Sequence, residues 1–311
     1  MKALYFDKTL RYREDMPMPE RKAGESLVRV ELAAICNTDR EVLRGYKPGY
    51  KGVLGHEFSG IVEQSENAAL INKRVVAELN LGCRECLYCK SGREKHCVSR
   101  RVLGLNDMDG CFASYVSLNN RLLHVVPAHV TAKEAVFIEP LAAALQVAEC
   151  AHIRPSTPVA VVGDGRLAYF VAQVLALQGT AVTVFGKHAE KLEAFAPFAE
   201  TSLKINGSFE TVVEATGAPA GLRTALRLVR SGGLIVLKST YAMQEAFDMS
   251  ELVVREITLT GSRCGPFAPA IALLSRGQIR LPELELHPLV DFEAAFASRA
   301  FKVGFDLNAD A

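Results

Sequence analysis

One run of ten residues, Val159-Ala160-Val161-Val162-Gly163-Asp164-Gly165-Arg166-Leu167-Ala168, constrains the fold of this chain more than any other. An apolar β-type segment ends in Gly-x-Gly-x-x-Ala, and a helical pattern follows at 167–177. Further strand-type runs at 181–185, 211–214, 234–237 and 257–260 alternate with helical patterns at 189–195 and 220–229. Continuous apolar strands separated by helices predict a doubly wound α/β domain, with a parallel sheet covered on both faces. In that context the glycines allow a tight turn and close approach of backbone to a pyrophosphate. The helix start adds N–H groups and a positive dipole, so the turn at Gly163, Asp164, Gly165, Arg166 and Leu167 is a candidate dinucleotide site.

The second strand of this unit ends at Phe185-Gly186-Lys187-His188. A carboxylate near this point would bind the ribose hydroxyls of NAD; Gly186 stands there instead, with Lys187 and His188 beside it. Losing an anion and gaining a cation suits a 2′-phosphate, so NADP(H) is favoured over NAD(H).

Before about Pro127 the pattern differs. Short β-type runs at 2–6, 10–13, 27–32, 58–63, 74–79, 112–118 and 122–126 predict a small β-barrel or sandwich. A long apolar helical stretch at 131–151 carries a Thr131–Glu134 capping box and an interruption at Pro140. After Gly265 the pattern loosens, to a helix near 292–298 and a strand near 302–307.

Two clusters of metal-ligand residues lie in the first part. Cys83-x2-Cys86-x2-Cys89-x7-Cys97 offers four thiolates within fifteen residues, enough to close a tetrahedral structural zinc site. An iron–sulfur run would place its fourth cysteine after three residues and follow it with proline, whereas Val98 follows Cys97. A nucleic-acid-binding zinc module is disfavoured by a net charge of only +1. The second cluster is Cys36-Asn37-Thr38-Asp39, a possible turn of helix capped by Thr38 or Asp39, followed by Gly55-His56-Glu57. Cysteine, histidine and glutamate are the donors of a catalytic zinc with an open position.

The remaining features are mostly exclusions. With 311 residues the chain predicts about two domains. Its mixed charge gives no long-range pull towards nucleic acid or an anionic membrane. The N-terminus lacks an apolar signal core, and no run approaches the ~18 apolar residues of a membrane span. A soluble cytoplasmic protein is expected, and clustered cysteines in a reducing compartment point to metal rather than disulfides.

Taken in order, Cys-x-Thr-Asp, Gly-His-Glu, the four-cysteine lobe, Ile138-Glu139-Pro140-Leu141 and Gly-x-Gly-x-x-Ala resemble the zinc-dependent medium-chain alcohol dehydrogenases over nearly the whole chain. The resemblance implies a GroES-like β-barrel catalytic domain (1–128 and 266–311) and a Rossmann domain (129–265). It implies two zinc ions, a nicotinamide cofactor, an alcohol or carbonyl substrate and a homodimer or homotetramer. Cys36 and His56 match catalytic zinc ligands. Glu57 matches a glutamate that binds zinc directly in some members and lies behind a ligand in others. Glu139 stands in place of the later cysteine of alcohol dehydrogenase proper, as in the polyol, glucose and threonine dehydrogenase branch. Thr38 matches the hydroxyl that relays the substrate proton, Asp39 a partner that orients His56, and Ala215 and Thr216 a turn at the cofactor's edge. The implied reaction is hydride transfer between a secondary alcohol (a polyol, sugar or amino-alcohol) and the cofactor. A non-catalytic nucleotide-binding sensor that keeps the fold and the structural zinc is the alternative.

Overall fold

The computed structural model describes residues 1–242 and 247–308, which divide into two compact units. One is Met1–Glu139 together with the chain from Phe267 onward; the other is Pro140–Pro266.

In the second unit six strands run in the order Glu200–Ser202, Ala181–Phe185, Pro158–Val162, Phe209–Glu214, Val229–Leu237 and Thr258–Gly261. All five pairings are parallel. This is the Rossmann order, with the topological switch between Pro158–Val162 and Phe209–Glu214, where such sheets bind ligands at their carboxyl ends. The interior strand residues Val159, Ala160, Val161, Val212 and Val213 are fully buried, as a sheet covered on both faces requires.

The first unit is built on the strand Glu25–Ala34, paired antiparallel with Glu57–Ser65, with Tyr115–Asn119 and with the C-terminal strand Lys302–Asp306. Outer strands extend this to a seven-stranded sheet, and a three-stranded sheet joins Thr9–Arg13, Ala3–Asp7 and Lys51–Val53. Among the described residues the strand paths are open, so this unit is made of mixed sheets that do not close into a ring. Its core includes Phe58, Phe112 and Phe305, the last two edge to face at 5.1 Å between ring centroids.

Local signals place the helices with small shifts. The predicted stretch at 131–151 is two helices, Ala132–Ala135 and Ile138–Cys150. The break precedes Pro140, which lies in the first turn of the second helix, where its missing N–H leaves no bond unmade. The short helix Asn37–Leu43 is capped by Cys36, not by Thr38 or Asp39. The loose region after Gly265 holds a helix, Phe267–Ser275, whose nearly uniform apolarity hid its periodicity. Among the described residues no helix is long and apolar enough to cross a membrane.

Candidate active site

Strand register brings the first metal cluster together. Ala34 pairs with Glu57, so the chain leaving one strand at Cys36 runs beside the chain entering the next at His56. Gly55, at φ 94°, makes this possible: a Cβ there would lie 2.4 Å from the Phe112 ring. A sulfur, a ring nitrogen and a carboxylate oxygen from Cys36, His56 and Glu57 all lie within 4.8 Å of one another. His56 and Glu57 are buried.

Asp39 organises the cluster from beneath. Its Oδ2 accepts the Cys36 N–H at 2.8 Å, and its Oδ1 stands 3.5 Å from His56 Nδ1. Those facing atoms, Asp39 Oδ1 and His56 Nδ1, are buried without a hydrogen-bond partner. Burial alone would lower the His56 pKa, but Asp39 and Cys36 outweigh it and raise it well above the ordinary value. The pocket therefore favours positive charge at His56. The Cys36 thiol reaches the Thr38 hydroxyl at 3.6 Å, which sets that hydroxyl beside the donor cluster.

Lys302, which sequence reasoning passed over, donates to Glu57 Oε2 and, at 3.3 Å, to the Ile35 carbonyl. Both side chains of the pair are almost fully buried. The strand pairing explains it: Gly304 lies opposite Ala34, which lies opposite Glu57, so the C-terminal strand delivers a cation to the cluster. The signal was a lysine inside the apolar run Phe301-Lys302-Val303-Gly304-Phe305, where a buried ammonium requires a partner. The sulfur, nitrogen and oxygen donors, the buried acid behind the histidine and the electrostatic preference for a cation all fit a zinc ion. Glu139 opens the helix Ile138–Cys150 and is not in this cluster.

The second cluster is Cys83, Cys86, Cys89 and Cys97, whose sulfurs lie within 4.8 Å of one another. Backbone N–H groups prepare the thiolates: the Cys83 N–H donates to Cys97 Sγ at 3.3 Å and the Cys86 N–H to Cys83 Sγ at 3.4 Å. The Cys89 N–H holds the Cys86 thiol down at about 6. Four converging sulfurs fit a closed structural zinc site.

At the carboxyl end of the parallel sheet the glycine turn takes the expected form. Gly163, at φ 129°, passes so close to Ala215 that a Cβ would lie 2.7 Å from its carbonyl oxygen. Gly165 caps the helix Arg166–Leu177, and Ala168 is fully buried. Across the switch point the buried Glu214 accepts from the Thr216 N–H at 2.8 Å, the Thr216 hydroxyl at 2.6 Å and the Ser239 hydroxyl at 2.9 Å. Ser239 Oγ in turn accepts the Gly217 N–H at 2.7 Å, which fixes the turn that holds Ala215 and Thr216. Asp164 Oδ2 accepts the Lys187 and His188 N–H groups at 2.7 and 2.9 Å and faces His188 Nδ1 at 2.9 Å. Burial would raise the Asp164 pKa, but these bonds, led by the Lys187 N–H, hold it below the ordinary value.

Comparison with known proteins finds likenesses over nearly the whole chain. Residues 22–128 match the alcohol dehydrogenase GroES-like domain. The chain is 28% identical to a sorbitol dehydrogenase of Halalkalibacterium halodurans, over 94% of this chain and 92% of that protein. It is 29% identical to an L-galactonate-5-dehydrogenase of Escherichia coli, over 88% of this chain and 86% of that protein. The L-idonate 5-dehydrogenase of Escherichia coli shares the fold, with a TM-score of 0.87 at 24% identity over 98% of this chain and 97% of that one. Over nearly its whole length the chain is thus similar to zinc-dependent medium-chain alcohol dehydrogenases of the polyol-dehydrogenase kind.

Proposed function

We propose that this chain reversibly oxidises a secondary alcohol of the polyol, sugar or amino-alcohol class, using a zinc ion held by Cys36, His56 and Glu57. The observation that carries this reading is the convergence of those three donors within 4.8 Å. When bound, zinc supplies a Lewis acid that lowers the pKa of an alcohol, and a nicotinamide supplies the hydride acceptor.

The chain's own residues do the rest. Thr38 Oγ1, beside Cys36 Sγ, takes the proton of the substrate hydroxyl and passes it outward. Asp39 anchors the Cys36 backbone and faces His56 Nδ1, so it fixes the ring and its tautomer. Lys302 balances the charge of Glu57, which lets a carboxylate sit in a dry site. Glu139 is proposed as an exchangeable further donor at the same centre. The Gly163–Leu167 turn cradles the cofactor's pyrophosphate, and the Ala215–Thr216 turn borders it.

A second zinc ion in the four-cysteine lobe, cytoplasmic residence and self-association as a homodimer or homotetramer belong to the same proposal. The thiol cluster supports a reducing compartment. Self-association is supported by Thr258–Gly261 at the sheet's edge and by exposed Met249, Val253 and Val254 nearby in the chain. Exposed Lys187 supports NADP(H) as the cofactor, and the carboxylate of Asp164 beside it supports NAD(H).

The test is absorbance of the reduced cofactor during turnover by zinc-replete protein, with NAD⁺ and NADP⁺ against polyols, sugars, aldonates and amino-alcohols. Turnover of a secondary alcohol that is lost in Cys36→Ala is expected. Failure on every class, in protein shown to hold two zinc ions, would overturn the proposal.

A further inference from the structure

We infer that Asp164, inside the glycine turn, is the residue that selects the cofactor, and that it selects NAD(H). The inference rests on the nicotinamide reading above. It runs against the preference for NADP(H) that Gly186, Lys187 and His188 carry in sequence alone.

Space is the first argument. A Cβ built on Gly186 would lie 2.8 Å from both Asp164 Cβ and Asp164 Oδ2. The carboxylate missing from the end of the second strand is therefore supplied from the neighbouring loop, at the point where a side chain of residue 186 would begin. A carboxylate at that end of the sheet accepts a ribose hydroxyl and repels a 2′-phosphate.

Donors are the second argument. A 2′-phosphate needs N–H groups and cations directed at it. The Lys187 N–H, the His188 N–H and His188 Nδ1 all converge instead on Asp164 Oδ2. Of the cations read as phosphate partners, His188 is turned towards Asp164, and Lys187 has only an exposed flexible chain to offer. Among the described residues no hydrogen bond reaches Asp164 Oδ1, which leaves that oxygen to a ribose hydroxyl. Gly186 has its own place in this arrangement: any larger residue would displace the carboxylate.

The experiment measures dissociation constants of NADH and NADPH by nicotinamide fluorescence, on zinc-replete protein without alcohol. Wild type is expected to bind NADH at least about tenfold more tightly than NADPH. Asp164→Asn keeps an acceptor for the two backbone N–H groups and removes the charge, so the preference should collapse towards unity through a gain in NADPH affinity. Tighter binding of NADPH by wild type, or an unchanged ratio in folded D164N, would overturn the inference. The wild-type ratio alone decides the matter if D164N does not fold. Preferential NADH binding with no alcohol turned over would sink the proposed function and leave this inference standing; binding of neither cofactor would sink both.

Discussion

Lys302 and Glu57 are joined as a buried ion pair although 245 positions separate them in the chain. Such a pair contributes little net stability over an apolar substitute, but removing one partner strands a charge in a dry core. Lys302→Met is expected to cost about 3–5 kcal/mol. Restoring neutrality with Glu57→Gln in the same chain should recover much of that loss. Urea denaturation of the two single variants and the double variant gives the coupling directly; strictly additive losses would mean the pair does not act as one.

Asp39 is bound on one side to the Cys36 N–H and faces His56 Nδ1 on the other, so it touches two donors without being one. Asp39→Asn preserves size and loses the acceptor charge that steadies the ring. Groups in this position are worth about 10–100-fold in metal affinity or activity. Competition with a zinc-binding dye should show weaker binding at this site in D39N, while the four-cysteine lobe stays loaded.

Cys97 is the buried member of its lobe, fixed by the Cys83 N–H at its sulfur. Cys97→Ser should release one zinc per chain and leave the other, because the two clusters share no residue. Elemental analysis counts the metal, and a lower melting temperature should accompany its loss, since structural zinc contributes folding free energy. Retention of both ions in C97S would remove the lobe's assignment.

These sites were unequally legible in the sequence. The four-cysteine lobe and the glycine turn were readable because each is local: spacing alone determines which atoms meet. Cys36, His56 and Glu57 could be read as residue types, but their meeting depends on Ala34 pairing with Glu57. Lys302 stood out only as a lysine in an apolar run; its partner could not be named, because it is reached only through a strand that returns from the far end of the chain. Asp164 was read as one residue of the dinucleotide-binding turn; its effect on the loop at Gly186 required knowing where its carboxylate points. Short strands left barrel and sandwich open, and the barrel that the resemblance implied is a set of open mixed sheets among the described residues, since strand spacing says nothing about closure.

The capping box at the head of the helix Ala132–Ala135 gives a pH test with a defined sign. Glu134 Oε2 accepts the Thr131 N–H at 2.7 Å and the Thr131 hydroxyl at 2.8 Å. The Thr131 N–H is the main cause of a Glu134 pKa below the ordinary value. A carboxylate whose pKa is lower folded than unfolded adds stability above its unfolded value of about 4.3, and loses it as pH falls through the folded value. Glu134→Ala should therefore cost about 1 kcal/mol at neutral pH. The gap between E134A and wild type should narrow steadily as urea midpoints are taken from about pH 7 down to about pH 3. A gap that stays constant over that range would show that the bond does not depend on the charge, and that burial of the Glu134 stem accounts for the loss instead.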